Sequence, residues 1–173
     1  MTPADFERYI TDLPDYPSPG ITFRDITPLL ASGSAFNASI DAICEPFFGK
    51  VDAVAGIEAR GFLFAAPVAV RLGVGFVPIR KPGKLPRAVH SQSYDLEYGT
   101  DTLEIHADAI AAGQRVLLVD DVLATGGTGG AAVALLHSIG AQVVGVSFLI
   151  ELLGLNGRSK IADVPVSSIV TYP

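Results

Sequence analysis

One cysteine, Cys44, in 173 residues rules out an internal disulfide and a cysteine-built metal site, and suits a reducing cytosol. The three histidines, His90, His106 and His137, show no metal-ligand spacing. Positive charge is also scarce. Lys and Arg number 12 against 18 acids, a formal net charge of -6, so the broad basic footprint that nucleic acid requires is missing. No uncharged apolar run reaches membrane-spanning length, and Asp5 and Glu7 stand where a signal peptide would need a basic stretch. The expectation is a soluble, cytoplasmic protein without membrane or nucleic-acid partners. No repeat, low-complexity tract or linker interrupts the chain, so 1–173 reads as a single domain.

What is present is apolar and glycine-rich, 49% hydrophobic with 18 glycines, which suits an α/β sheet with tight connections. Strands are predicted at 51–57, 75–79, 116–120, 143–150 and 168–172, alternating with helices, to give a mostly parallel sheet with helices on both faces. Phe6, Tyr9, Ile10 and Leu13 have helical spacing, and Thr2 and Pro3 start that helix. Pro14, Pro17 and Pro19 stiffen the following stretch, and 21–26 is a short strand or hood. Ser34 is read as the cap of a helix reaching Phe48, and a further helix is read at 62–72. Tyr94, Leu96 and Tyr98 alternate before Gly99, and Leu103 and Ile105 after it, so 91–106 reads as a hairpin. A short helix is read at 158–162.

The most informative stretch is Val116 to Thr128. A buried strand runs into two adjacent acids, Asp120 and Asp121, and then into Ala124, Thr125, Gly126, Gly127 and Thr128 ahead of a helical pattern at 129–139. Small residues at a helix N-terminus bring backbone N–H groups close to an anion, and the threonine hydroxyls add donors. A triphosphate P-loop would carry Lys before the last Ser/Thr, and a dinucleotide fingerprint would place Gly where Asp120 and Asp121 stand. Paired carboxylates beside a single-phosphate cradle suit a sugar phosphate, whose vicinal hydroxyls donate to them. Two further features point to anions. Arg60 follows a strand end, and Arg80, Lys81, Lys84 and Arg87 place four of the 12 cations in eight residues.

Asp120 to Thr128 resembles the phosphoribosyl-diphosphate (PRPP) signature of the type I phosphoribosyltransferases. The likeness runs from Phe6 to Tyr172 with family segments in family order, and Leu96-Glu97-Tyr98-Gly99 and Leu103-Glu104-Ile105-His106 are similar to the adenine-specific branch. It implies that Ala124 to Thr128 hold the 5-phosphate, that Asp120 and Asp121 hold the ribose hydroxyls, and that Ala59, Arg60, Lys81 and Lys84 meet the pyrophosphate. It also implies an N-terminal hood, 1–33, over the core, 34–173, with a flexible catalytic loop at 81–106. Adenine is expected against Thr22, Phe23 and Arg24 of the hood and against the apolar Leu123 and Leu152.

By the same resemblance, adenine and PRPP give AMP and diphosphate, with Glu97 and Arg60 as the catalytic residues. Glu97 would manage the purine proton. Mg²⁺ would be held through substrate and water with no direct protein ligand, and basic residues shared between subunits imply a homodimer. Hypoxanthine and guanine enzymes place a Lys near the base-facing strand end, and none occurs from Ala141 to Asn156. Two alternatives remain open at this point: a phosphoribosyltransferase for another nucleobase, and a non-catalytic PRPP-sensing regulator.

Overall fold

The computed structural model describes residues 1–95, 99–161 and 163–173. Pro3 sits in the first helical turn, and the Asp5 carboxylate accepts both the N–H and the hydroxyl of Thr2 at 2.9 Å. The resulting helix α1 (Pro3–Glu7) is shorter than the apolar spacing to Leu13 implies. Thr11–Leu13 is instead strand β1, antiparallel to β2 (Phe23–Asp25). Phe6 and Ile10 are buried, but Leu13 is 41% exposed, so no further apolar contact carries the helix into the proline-rich stretch.

The helix expected from Ser34 to Phe48 also needs correction. Pro28 opens a separate short helix, α2 (Thr27–Ala31), after which Ser32 is extended. The Ser32 hydroxyl accepts the Ala35 N–H at 3.4 Å and caps α3 (Gly33–Cys44), so Ser32 takes the role assigned to Ser34. A 3₁₀ turn containing Pro46 follows. Then come β3 (Ala53–Ile57), α4 (Arg60–Leu72), β4 (Gly75–Ile79), the hairpin strands β5 (Val89–Asp95) and β6 (Thr100–His106), β7 (Arg115–Leu123), α5 (Gly127–Ser138), β8 (Gln142–Leu152) and β9 (Val166–Tyr172). The helix read at 158–162 is a 3₁₀ segment, Gly157–Lys160, and Ala162 lies outside the described residues.

The central sheet is parallel, in the order β4-β3-β7-β8-β9. Its strands are apolar on both faces, as a covered parallel sheet requires. Val116 and Leu118 join Ala53, Ala55 and Ile57 under α5 and the hairpin, whereas Leu117 and Val119 join Val54 under α3 and α4. Full burial of each such leucine contributes about 1.5–3 kcal/mol. The apolar run predicts a strand ending at Asp120. β7 continues to Leu123 because β8 stays in register beside it, Asp120 opposite Phe148 and Leu123 opposite Glu151.

The topology decides where a ligand can sit. β3 leads through α4 to β4 on one side, and β7 leads through α5 to β8 on the other, so strand order reverses between β3 and β7. Crevices in open α/β sheets open at such a reversal, beyond the strands' C-terminal ends. The β5–β6 hairpin packs on α5 and joins β4 through reciprocal backbone bonds between Arg80 and Glu104, at 2.9 and 2.7 Å. The β1–β2 ribbon is fastened to the opposite edge: the Arg24 guanidinium lies 3.9 Å from the Tyr172 ring centroid and pairs with Asp12. Among the described residues no helix is long and apolar enough to cross a membrane.

Cys44 is fully buried between α3 and α4, its Sγ 3.8 Å from the Val68 carbonyl oxygen, and burial pushes its thiol up to about 11. The native protein should therefore leave an aromatic disulfide reagent unreacted at mildly alkaline pH on a timescale in which the urea-unfolded chain releases one equivalent. Equal rates in the two states would show that the α3–α4 contact opens readily.

Candidate active site

At the reversal of strand order lies a cleft of about 360 Å³, lined by the ends of β3 and β7 and the first turns of α4 and α5. The cradle comes from β7 and α5. Gly126 precedes α5 with φ +80°, and a Cβ there would stand 2.0 Å from the Gly157 carbonyl oxygen, so both conformation and space demand glycine. The first bond of the helix runs from the Gly130 N–H to the Gly126 carbonyl at 2.8 Å. The N–H groups before it have no intrahelical acceptor and face the cleft with the positive end of the helix dipole. Ala124, Thr125, Gly126, Gly127 and Thr128 all line it.

The acids stand at the end of β7, just ahead of the cradle. Asp121 is 5% exposed and ion-paired with Arg60, Nε to Oδ2 at 2.7 Å, although Oδ2 receives no aligned hydrogen bond. The Oδ1 of Asp120 accepts the Asp121 N–H at 2.9 Å. Burial raises both carboxyls above their ordinary value; for Asp120 the neighbouring Asp121 charge adds to it, and Arg60 opposes the rise in both. The sequence seats Arg60 here by placing Gly61 directly after it. A Cβ at Gly61 would lie 2.6 Å from the Asp120 Oδ1, so only glycine lets the start of α4 press against the end of β7. The peptide between Glu58 and Ala59, leading into α4, is cis.

The basic segment is already engaged with acids. Glu58 accepts from the Arg80 guanidinium at 3.1 Å and from the Lys81 N–H. Against the upward pull of burial, these two donors hold the Glu58 carboxyl below its ordinary value. The Lys81 ammonium lines the cleft while pairing with Asp101, and Arg87 pairs with Asp108. The Tyr94 hydroxyl joins the two sides of the cleft. It lies 3.3 Å from the Lys81 Nζ, 3.2 Å from Asp101 and 3.3 Å from the Thr128 Oγ1 of the cradle.

Of the residues singled out in the sequence, Ala59, Arg60, Lys81, Asp120, Asp121, Leu123 and Ala124 to Thr128 converge on this cleft. Lys84 is exposed outside its lining, and its carbonyl accepts from Arg80 at 3.2 Å. Thr22, Phe23, Arg24 and Leu152 do not line it either. Phe23 stands beside it, its ring centroid 5.3 Å from the Arg60 Cζ, while the Arg24 side chain is turned to Asp12 and Tyr172. Thr22 is exposed, and Leu152 is half-buried on the α3–α4 side. Glu97 lies outside the described residues. Sequence reasoning missed Tyr94, Asp101 and Phe148 as neighbours of the site. Tyr94 and Asp101 carried a signal, since the expected hairpin sets them on facing strands.

The model of the phosphoribosyl transferase domain matches residues 27–170. The chain belongs to the phosphoribosyltransferase family. Among the curated members it resembles the adenine phosphoribosyltransferase of Thermobifida fusca (strain YX), 61% identical over 166 residues, which span 95% of this chain and 94% of that one. Among solved phosphoribosyltransferases it resembles the adenine enzyme of Thermoanaerobacter pseudethanolicus, with a TM-score of 0.95 at 51% identity over 99% of this chain and 100% of that one. The Saccharomyces cerevisiae enzyme, solved with an imino-altritol bisphosphate and adenine, has a TM-score of 0.93 at 39% identity over 97% and 98% of the two chains. The fold is that of the type I phosphoribosyltransferases.

The acid pair of this phosphoribosyltransferase should be a stability liability. A carboxyl whose native pKa is raised favours folding below its unfolded value, about 3.9, and loses that contribution as pH rises through the native value. Asp120→Asn should therefore raise the melting temperature at neutral pH, with the gain shrinking as pH falls towards 4. A melting temperature unchanged at neutral pH would show that Asp120 is not held against its burial.

Proposed function

We propose that the protein transfers the 5-phosphoribosyl group of PRPP to adenine, giving AMP and diphosphate. The observation that carries this reading is the junction of cradle, acid pair and Arg60 in one cleft, which offers separate receptors for a phosphate, two hydroxyls and a leaving anion. The identity of the base rests on the adenine-specific relatives above.

The 5-phosphate sits on the first-turn N–H groups of α5 and the hydroxyls of Thr125 and Thr128. Asp120 and Asp121 accept hydrogen bonds from the ribose hydroxyls, and their charge favours the positive ring of an oxocarbenium-like transition state. As the C1′–oxygen bond breaks, the electron pair leaves with diphosphate, and the purine nitrogen forms the new bond to C1′. Arg60 and Lys81 face the departing charge, Lys81 exchanging Asp101 for diphosphate oxygens. The imidazole proton of the purine passes to Glu97. Leu123 in the cleft and Phe23 beside it bound the base, with Thr22, Arg24 and Leu152 outside the lining around them, and Lys84 adds positive charge from the loop.

Hard oxygens are what Mg²⁺ requires, and the buried Asp121 Oδ2, beside Arg60, has no aligned hydrogen bond. We place the ion on the substrate and its waters, beside Asp120 and Asp121. Held there, Mg²⁺ would neutralise charge on the leaving diphosphate. We further place the enzyme in the cytoplasm as a homodimer.

AMP formation from adenine and PRPP, with hypoxanthine and guanine in parallel and Mg²⁺ present or withheld, tests the reading. Magnesium-dependent turnover of adenine alone is expected, whereas PRPP binding without turnover of any base would indicate a sensor. Arg60→Ala should lower turnover about a hundredfold, as loss of a preorganised charge does, and wild-type kinetics would remove Arg60 from the chemistry. In Glu97→Gln, single-turnover chemistry should slow while PRPP affinity stays near normal; an unchanged rate would reduce Glu97 to a loop residue.

A further inference from the structure

The back of the cradle is a wall of backbone. A Cβ at Gly157 would lie 2.3 Å from the Ala124 carbonyl oxygen, and one at Gly126 would lie 2.0 Å from that of Gly157. One turn on, a Cβ at Gly130 would stand 2.4 Å from the Lys160 carbonyl oxygen, and one at Gly129 would stand 3.1 Å from the Ile161 side chain. The segment from Gly157 to Ile161 thus touches the cradle at Ala124, Gly126, Gly129 and Gly130. At Gly126, Gly130 and Gly157 main chain meets main chain, which leaves little room for a shift, so where this segment lies decides where the phosphate-facing N–H groups lie.

The segment belongs to the long connection from β8 to β9, whose entry is poorly anchored: Leu153 and Leu155 are about half exposed. Ile161, 4% exposed, seats its far end in the core, and Arg158 fastens its start. Arg158 donates from Nε to the Glu151 Oε1 and from a terminal nitrogen to Oε2, both at 2.6 Å, and from the other terminal nitrogen to the Val166 carbonyl at 3.0 Å. Ser168 donates to the Glu151 Oε2 at 2.5 Å. Glu151 is 3% exposed and sits within the sheet, opposite Leu123 on β7. A buried carboxylate needs a charged partner, and a two-pronged guanidinium fixes direction as well as distance. Arg158 and Ser168 hold the Glu151 carboxyl below its usual range. Neither Arg158 nor Glu151 lines the cleft.

We infer that Arg158 and Glu151 are positioning residues for the 5-phosphate cradle: their ion pair clamps Gly157 to Ile161 against Gly126 to Gly130 and so sets the aim of the cradle's N–H groups. The inference rests on the phosphoribosyl reading of the cleft. It separates the two anion receptors, because Arg60 and Lys81, which face the diphosphate, belong to other elements.

Calorimetric titration with ribose 5-phosphate and, separately, with diphosphate tests it on wild type, Arg158→Ala and Glu151→Gln. Arg158→Ala should weaken ribose 5-phosphate about tenfold or more, by analogy with other small misplacements, and raise the KM for PRPP in parallel, with diphosphate affinity and kcat nearly unchanged. Arg158→Lys, which cannot form the fork, should recover only part of the loss. If Arg158→Ala does not fold, Glu151→Gln carries the test, with a smaller loss in the same direction. Ribose 5-phosphate affinity equal to wild type in the folded variants overturns the inference, as does an equal loss of both ligands, which would mark a merely structural pair. Wild-type protein that fails to bind ribose 5-phosphate overturns the phosphoribosyl reading together with it.

Discussion

The contact between Arg60 and Asp121 is the constraint on which this site depends. Two buried carboxylates and a helix N-terminus meet in this one cleft, and buried acids need a positive partner. Arg60 supplies it from across the strand reversal. It enters from the first turn of α4 and meets the buried Oδ2 of Asp121. Gly61 makes this possible by giving up its side chain to Asp120. The electrostatics of the site are thus set by a close approach of two backbones.

What the sequence made legible was local. Four apolar residues, two acids and a Gly-Gly run define a strand, an acid pair and a helix start within thirteen residues, and each is readable from its neighbours. The five strands of the sheet followed in the same way, their limits within two residues of those observed except at β7, whose last three residues are held by β8 and not by their own apolarity. Helix limits failed where tertiary packing decided. Leu13 has helical spacing but no core to face, and Ser34 stands two residues from the serine that caps.

Partners distant in sequence were not legible. Arg80 finds Glu58 and Lys81 finds Asp101 across some twenty positions, so cations that read as free charge are already paired in the fold. An anion arriving there would have to exchange with these acids. The glycines of the cradle were readable as a loop for phosphate, but the strand of backbone behind them at Gly157 was not, because nothing in either segment names the other.

The fastening of the hood has a consequence for how the molecule is made. The β1–β2 ribbon is synthesised early, yet Arg24 is held by Tyr172, and α1 packs on β9, near the end of the chain. On the ribosome, Asp121 of β7 and Arg60 of α4 can come together while the β1–β2 ribbon still has nothing to dock on. The ribbon therefore closes on the sheet last, after the strand edge it needs has been made.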